Sequence, residues 1–210
     1  MDARTGLREV LSMDRHAWDD RYRDREWLWT VDANRFVVRE VTGLIPGRAL
    51  DLAAGEGRNA VWLAKQGWEV TAVDFSSVAL ERAGELAALE GVEITTIAAD
   101  LREYVPEPGV FDLVVLAYLH LPPALLSVVL GRARDALADG GSIVIVGHDL
   151  TNIEHGYGGP QAAEVLYSPE DLVADLGSLE IVKAEKVERP YESEEGTFTA
   201  IDALVVARRP

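Results

Sequence analysis

Short apolar runs alternate with amphipathic segments along most of the chain after residue 47. An unbroken apolar run is typical of a strand buried on both faces, whereas the segments between the runs have the apolar spacing of helices. The predicted strands span Arg48–Ala53, Glu69–Val73, Val92–Ala98, Phe111–Ala117 and Ser142–Gly147. The predicted helices span 57–66, 76–90 and 122–138, and we expect the last one to end at Gly140-Gly141. This alternation indicates a parallel, doubly wound α/β sheet.

The alternation stops near the end of the chain. Ser168 and Pro169 are typical of a helix cap and a first helical turn, which predicts a short helix over 169–176. Two strands follow, Glu180–Glu188 and Phe198–Ala207, and the polar loop between them is too short for a helical crossover. We therefore predict a Rossmann-like, mostly parallel seven-stranded sheet whose last strand is antiparallel.

Charge and composition narrow the possible functions. A net charge of −16 lacks the cationic footprint that nucleic acids and anionic membranes require, so we expect neither partner. Without cysteine, and without a helical pair of histidines, we expect no disulfide, thiolate nucleophile or metal site. The beginning of the chain does not resemble a secretory signal, and charge and proline interrupt the longest apolar stretch. These features favour a cytoplasmic protein.

A glycine-containing loop directly follows the first predicted strand. Its sequence is Asp51-Leu52-Ala53-Ala54-Gly55-Glu56-Gly57, and it opens a helix whose free N–H groups can face a ligand. Asp74 at the end of the second strand is placed to accept hydrogen bonds from a ribose diol, and Phe75 can lie against an adenine ring. At the end of the third strand, Asp100 can accept from the adenine amino group.

The same glycines also satisfy a dinucleotide fingerprint, with Asp74 at the expected distance, so an NAD(P)-dependent oxidoreductase is the main alternative. The sequence has no Tyr-x-x-x-Lys pair and leaves no room for a separate substrate domain. The expected antiparallel last strand also differs from the usual dinucleotide-binding sheet, which is wholly parallel. These observations favour a different nucleotide-like cofactor.

The ordered motifs resemble those of class I S-adenosylmethionine-dependent methyltransferases. They are Asp51-Leu-Ala-Ala-Gly-Glu-Gly-Arg-Asn59, Val70-Thr-Ala-Val-Asp-Phe-Ser76, Ala99-Asp100-Leu101 and Phe111-Asp-Leu-Val-Val-Leu-Ala117. Within that class, Gly55-x-Gly57-Arg58-Asn59 and Trp18-x-x-Arg21-Tyr22 followed by Trp29 resemble the tellurite-resistance and thiopurine methyltransferase-like group.

The resemblance implies S-adenosylmethionine as the cofactor, S-adenosylhomocysteine as its product, and a role for each matching position. Asp51 and the Gly55–Gly57 backbone would hold the amino-acid end of the cofactor, and Asp74 would bind the ribose. Phe75 and Leu101 would flank adenine, Asp100 would contact its amino group, and Ala117 would lie near the sulfonium. Ala53 stands where the class usually has its first glycine, and we expect a slightly altered turn without loss of binding.

The residues after the fourth and fifth strands are candidates for contact with the methyl acceptor. Ligands of doubly wound sheets lie beyond the carboxyl ends of the strands, where Tyr118, His120, His148 and Asp149 are expected. The two histidines are candidate bases, or else hydrogen-bonded structural residues. The polar, glycine-rich segment 151–160 is either part of a lid or a surface loop.

The N-terminal segment contributes aromatic candidates. Apolar spacing over residues 14–42 predicts one or two helices, and we expect residues 1–45 to cap the cofactor site of a single methyltransferase domain over 46–210. Tyr22 and Trp29 are predicted to contact the cofactor, since aromatic faces suit a cationic sulfonium.

We expect transfer of a methyl group to a small-molecule thiol, hydroxyl or chalcogen oxyanion, by a monomer or homodimer. The sequence is also compatible with a methyltransferase acting on protein and with a catalytically silent S-adenosylmethionine-binding module.

Overall fold

The computed structural model describes residues 15–23, 31–193 and 196–210. Its strands are β1 Arg48–Leu52, β2 Glu69–Asp74, β3 Thr95–Ala98, β4 Phe111–Ala117, β5 Leu137–His148, β6 Glu180–Ser193 and β7 Gly196–Arg208. Its helices are α1 Arg15–Arg23, α2 Arg35–Val41, α3 Arg58–Lys65, α4 Ser77–Leu89, α5 Pro123–Ala136, α6 Asn152–His155 and α7 Pro169–Asp175, with a 3-10 turn at Ala163–Val165.

The strands form one seven-stranded sheet in the order β3-β2-β1-β4-β5-β7-β6. β1 to β5 pair in parallel, whereas β7 runs antiparallel to both of its neighbours, β5 and β6. The predicted fold is therefore confirmed, including its antiparallel last strand. The order in which strands are added to the sheet reverses between β1 and β4, so the carboxyl ends of these two parallel strands form the crevice where such sheets bind ligands.

Both faces of the sheet are covered, which explains the unbroken apolar runs in the sequence. One face packs against α5 and α7 through buried side chains such as Leu130 and Leu172. The other face packs against α2, α3 and α4 through Phe36, Leu63 and Leu80. None of the helices among the described residues combines the length and hydrophobicity that crossing a membrane requires.

The prediction that Gly140-Gly141 ends the helix before β5 is wrong. α5 ends at Ala136, and Leu137 already pairs with Phe111 as the first residue of β5. The glycines form an irregularity inside β5, between the pairs Phe111–Leu137 and Leu113–Ser142. A Cβ atom at Gly141 would lie 2.8 Å from the Phe111 carbonyl oxygen, so glycine is required there by close backbone contact.

Ala53 adopts a left-handed backbone conformation with φ of 59°. This is the conformation that glycine adopts without steric cost, so Ala53 accommodates a glycine-like turn at the end of β1. For a residue with a Cβ atom the conformation costs about 1–2 kcal/mol. The loop therefore contains local strain directly beside the candidate cofactor site.

We expect Ala53→Gly to raise the free energy of unfolding by about 0.5–1 kcal/mol. Relief of the left-handed strain exceeds the entropy that glycine adds to the unfolded chain, which is about 0.4–1 kcal/mol. Urea denaturation of the two proteins measures the difference. Ala54→Gly, at a neighbouring position without positive φ, serves as the control and should lose stability. An equal loss in both variants would contradict the strain at Ala53.

Helix α1 is attached to the domain through a buried polar contact. The Ser76 hydroxyl, which caps α4, donates to the Asp19 carboxylate at 2.5 Å, and both residues are buried. The predicted N-terminal helices are present as α1 and α2. Trp29 lies outside the described residues.

Candidate functional site

Asp51, at the carboxyl half of β1, is the most unusual polar residue of the glycine loop. Its side chain is almost fully buried, and neither carboxylate oxygen has a fully aligned hydrogen-bond partner among the described residues. Burial, with a smaller contribution from the charge of Asp74, raises the pKa of Asp51 from 3.8 to about 7, although Arg58 and the Ala60 N–H group oppose the shift. Burial of a carboxylate with so little compensation is costly, and such a group is well suited to bind a cation.

Arg58, the first residue of α3, lies between Asp51 and the end of β4. Burial lowers the pKa of Arg58, while the nearby Tyr118 and Asp51 act to raise it. The guanidinium carbon lies 6.0 Å from the centre of the Tyr118 ring. The loop therefore presents a carboxylate and a guanidinium on the same side of the sheet.

Glycine is required at the two loop positions for different structural reasons. Gly57 has φ of 79°, and a Cβ there would lie 2.5 Å from the Ala83 Cβ, so the glycine permits close packing of α3 on α4. Gly55 has φ of 54°, and a Cβ there would lie 3.1 Å from the Tyr22 hydroxyl. Tyr22 is itself buried, so α1 places this aromatic residue against the loop.

Asp74 at the end of β2 is buried and holds the loop in place. Its carboxylate accepts from the Gly55 N–H and the Ser76 N–H, each at 2.9 Å. Burial raises the pKa of Asp74 despite these hydrogen bonds. Since a carboxylate offers about four acceptor positions, acceptor capacity remains for a ribose hydroxyl.

The remaining predicted cofactor positions lie around the same strand ends. Asp100 follows β3, and its side chain is held by Arg102, whose hydrogen bond lowers the pKa of Asp100. Leu101 is buried in the core cluster on the α5 side, whereas Phe75 after β2 and Ala117 at the end of β4 are half-buried.

A second polar cluster follows β4 and β5. Tyr118 has a strained φ of 61°, stabilised by a hydrogen bond from its N–H group to the Val146 carbonyl. Its hydroxyl donates to Asp202 at 2.8 Å, and Arg189 donates to the same carboxylate oxygen at 2.6 Å. The Asn34 side chain approaches the Tyr118 hydroxyl at 3.4 Å and connects α2 to this cluster.

The structure brings His120 and His148 together. Their rings stack with centres 5.4 Å apart, and Tyr167 stacks on the other side of His120 at the same distance. His120 Nδ1 lies 3.2 Å from the Val165 carbonyl oxygen, and its Nε2 is buried without a partner among the described residues. Burial and the proximity of His148 lower the pKa of His120 to about 4, so His120 is neutral at physiological pH.

Asp149 is placed differently from the two histidines. Its Oδ1 accepts from the N–H group and the hydroxyl of Thr151 and lies 3.1 Å from Lys186 Nζ. This arrangement stabilises the turn that begins segment 151–160. The acid that faces His148 is Asp202, with 3.2 Å between Nδ1 and Oδ1.

Segment 151–160 packs closely over His148. Asn152 is buried, donates to the Gly158 carbonyl at 2.8 Å and accepts from the Ile201 N–H at 2.7 Å. A Cβ at Gly159 would lie 2.6 Å from the His148 ring, so the segment covers that ring with backbone alone. The stacking of Tyr157 on Phe198, at 4.1 Å, attaches the segment to β7.

Sequence reasoning missed the residues that join this cluster from distant parts of the chain. They are Asn34, Arg58, Tyr167, Arg189 and Asp202. The sequence did contain one signal for this cluster, because Asp202 is a charged residue within the apolar last strand. A cavity of about 530 Å³ lined by Glu69, Gly84 and Thr95 lies near the amino ends of β2 and β3, away from all of these side chains. No group of three or more His, Asp or Glu in the described ranges can hold a metal ion.

Residues 49–141 match the family model described as "Methyltransferase domain". Over 70 residues the chain is 37% identical to ribosomal RNA small subunit methyltransferase C of Alcanivorax borkumensis, covering 33% of this chain and 21% of that protein. The chain thus spans about a fifth of the length of that curated relative.

Solved structures with the same fold agree with this match. One is TehB from Haemophilus influenzae, with a TM-score of 0.70 and 19% identity, covering 85% of this chain and 63% of TehB. Another belongs to work on the conversion of a disulfide bond into a thioacetal group during echinomycin biosynthesis, with a TM-score of 0.70, 19% identity, and 85% and 82% coverage. At this identity the likeness concerns the fold.

Proposed function

We propose that the protein transfers the methyl group of S-adenosylmethionine to a small-molecule nucleophile, because residues 49–141 match a methyltransferase domain and the sheet has the strand order and antiparallel β7 expected of class I S-adenosylmethionine-dependent methyltransferases. The observation that carries the proposal is the buried Asp51 carboxylate beside the glycine loop, which has no fully aligned hydrogen-bond partner among the described residues. The histidine cluster lies at the same edge of the sheet, after β4 and β5. The match to a methyltransferase domain and the fold support the predicted class and its cofactor.

The residues at the end of β1 fit the amino-acid end of this cofactor. That end carries an ammonium and a carboxylate group, and the loop presents Asp51 and Arg58 together. Asp51 would accept from the ammonium, and Arg58 would pair with the carboxylate. The contact with the ammonium would give the buried Asp51 carboxylate a charge-assisted hydrogen bond, and such hydrogen bonds are among the stronger ones in proteins.

The nucleoside end would follow the ends of β2 and β3. Asp74 would accept from the ribose hydroxyls, Phe75 and Leu101 would flank adenine, and Asp100 would accept from its amino group. Tyr22, which lies against Gly55, would cover the cofactor from α1. When bound, the cofactor supplies an electrophilic methyl group on a cationic sulfonium, and Ala117 would lie near it.

The acceptor would bind over β4 and β5, where His148 is the favoured base. His148 is the last residue of β5 and lies under segment 151–160, next to the end of β4. A thiol or hydroxyl must lose a proton during transfer, whereas a chalcogen oxyanion does not. The net charge of −16 and the coverage of the site by backbone favour a small acceptor over a nucleic acid.

Two competing functions can be compared with this proposal. The antiparallel β7 argues against a dinucleotide oxidoreductase, whose sheet is usually parallel throughout. A catalytically silent cofactor-binding module would bind the cofactor equally well and form no methylated product.

Isothermal titration with S-adenosylhomocysteine and NAD, followed by assays with labelled S-adenosylmethionine, tests the proposal. We expect S-adenosylhomocysteine to bind and NAD not to bind. The assays use a panel of small thiols, phenols and chalcogen oxyanions, and product with any of them supports the transferase. Tighter binding of NAD than of S-adenosylhomocysteine would refute the proposal. Cofactor binding without product across the panel would favour the silent module.

In the same titration we expect Asp74→Ala to weaken S-adenosylhomocysteine binding at least about tenfold. A charged hydrogen bond contributes about 1.5–3 kcal/mol, and the variant leaves two ribose hydroxyls without that acceptor. The control is Asp139→Ala, whose side chain is 92% exposed. Unchanged affinity in a variant whose circular dichroism matches the parent would refute the ribose assignment.

A further inference from the structure

Asp202 and His148 face each other across the antiparallel pair of β5 and β7. In the register of these strands His148 is the direct partner of Asp202. The His148 Nδ1 atom lies 3.2 Å from Asp202 Oδ1. Both atoms are buried, and neither has a fully aligned hydrogen-bond partner among the described residues. Each is therefore the nearest available partner of the other, at a distance that a small rotation converts into a hydrogen bond.

The Asp202 carboxylate is fixed from its other side. Its Oδ2 atom accepts from the Tyr118 hydroxyl at 2.8 Å and from Arg189 Nε at 2.6 Å. Burial works to raise the pKa of Asp202, but His148, Arg189 and Tyr118 outweigh it and hold the pKa below its usual value. Asp202 is thus an ionised, fully buried acceptor whose Oδ1 is directed at the imidazole.

An ionised carboxylate can only accept, so the facing imidazole nitrogen must carry the proton. With the proton on Nδ1, the lone pair of a neutral imidazole lies on Nε2, at the opposite side of the ring. Nε2 lies next to Gly159, where a Cβ would come within 2.7 Å of it. A side chain at position 159 would press on the nitrogen that would accept a proton, and glycine avoids that contact.

We infer that Asp202 is a positioning residue that holds His148 in its Nδ1-protonated form and directs Nε2 toward the methyl acceptor. The inference rests on the proposed function, in which His148 takes the acceptor proton as the methyl group is transferred. The proton moves from the acceptor oxygen or sulfur to Nε2, and its bonding electrons stay with the nucleophile. Asp202 remains ionised and stabilises the imidazolium that forms.

His120 lacks such an orienting acid. Its Nδ1 faces the neutral Val165 carbonyl at 3.2 Å, and its ring is enclosed between His148 and Tyr167. A carbonyl fixes the tautomer but supplies no negative charge to stabilise an imidazolium. The arrangement therefore favours His148 as the base and gives His120 a packing role beside it.

The tautomer of His148 is directly measurable by long-range ¹H–¹⁵N correlation spectra of the full chain labelled in its histidines. The sequence contains four histidines, so His→Gln variants at each position suffice to assign the signals. We expect the neutral His148 side chain to show the Nδ1–H form. An Nε2–H form in the wild-type protein would overturn the inference, whether or not the protein turns over.

Asp202→Asn provides the second test. An asparagine can present its N–H group to Nδ1, so we expect the His148 proton to move to Nε2 and turnover to fall at least tenfold, with cofactor KM little changed. The matched control is Asp112→Asn near the amino end of β4, far from the strand ends that carry His148, and its carboxylate accepts from the Arg48 N–H at 2.8 Å.

The outcomes separate the inference from the proposed function. An unchanged His148 tautomer in a folded Asp202→Asn variant would overturn the inference. If that variant does not fold, the wild-type spectrum still decides. An Nδ1–H tautomer in a protein that methylates none of the panel would support the placement of Asp202 and refute only the transfer.

Discussion

Replacement of His148 with alanine is expected to lower turnover about 100-fold or more while leaving the affinity for S-adenosylhomocysteine nearly unchanged. The side chain lies at the end of β5, on the acceptor side of the site, and contacts Asp202 rather than the glycine loop. Removal of a positioned base therefore affects proton transfer without affecting the residues proposed to hold the cofactor. Turnover and titration on the same purified variant measure both quantities.

His155→Ala is the matched control for this prediction. His155 lies in α6, only a short distance along the chain, but its side chain is 68% exposed. We expect this variant to retain both turnover and binding. Full turnover of His148→Ala with intact cofactor binding would make His148 a structural residue and His120 the next candidate. It would also indicate an acceptor that is already an anion, for which positioning alone is sufficient.

Asp51 is expected to lower the free energy of unfolding of the cofactor-free protein progressively as the pH rises from about 4 to about 7. Burial raises the pKa of Asp51 from 3.8 to about 7 in the folded protein, whereas the unfolded chain ionises near the ordinary value. Within this window the folded state holds a proton that the unfolded state has lost, so rising pH favours unfolding. A difference of about three pKa units corresponds to about 4 kcal/mol.

Asp51→Asn isolates this contribution from that of other titrating groups. His120, whose pKa burial lowers to about 4, contributes in the opposite direction over a similar range, so the wild-type profile alone is ambiguous. The difference between the two proteins should be small near pH 4 and should grow to several kcal/mol in favour of Asp51→Asn at pH 8. Urea denaturation at both pH values measures it, and Asp139→Asn is the exposed control. Parallel profiles of wild type and Asp51→Asn would contradict the prediction.

The same carboxylate predicts the pH dependence of cofactor binding. An α-ammonium group stays protonated below about pH 7.7, so Asp51 is the partner that titrates. The affinity of the wild-type protein for S-adenosylhomocysteine should fall up to about tenfold per pH unit below about 7, as Asp51 takes up its proton. The affinity of Asp51→Asn should be weaker and lack this dependence. Asp51 thus lowers the stability of the cofactor-free protein at the position that is proposed to bind the cofactor.

The sequence alone determined the sheet and the candidate cofactor half of the site. Unbroken apolar runs require burial on both faces, and their alternation with helices leaves a parallel sheet as the arrangement. Asp51, Asp74 and Asp100 each end or follow a strand, and parallel neighbours bring these ends to one edge. A motif at the end of a strand can therefore be assigned to this edge of the sheet from the sequence alone. The local sequence pattern was less informative about where helices and strands begin and end. At Gly140-Gly141, close packing on Phe111 decides the backbone conformation.

Only the tertiary structure decided the surroundings of His148. Tyr118 and Asp202 are 84 residues apart, and they meet because β7 inserts beside β5 in a particular antiparallel register. A shift of one residue would turn Asp202 to the other face of the sheet and remove it from the imidazole. The apolar run of β7 is compatible with either register, because both faces of the sheet are buried. Partners on other strands fix the position of the buried Asp202 charge within β7. The local sequence pattern of β7 does not specify these partners.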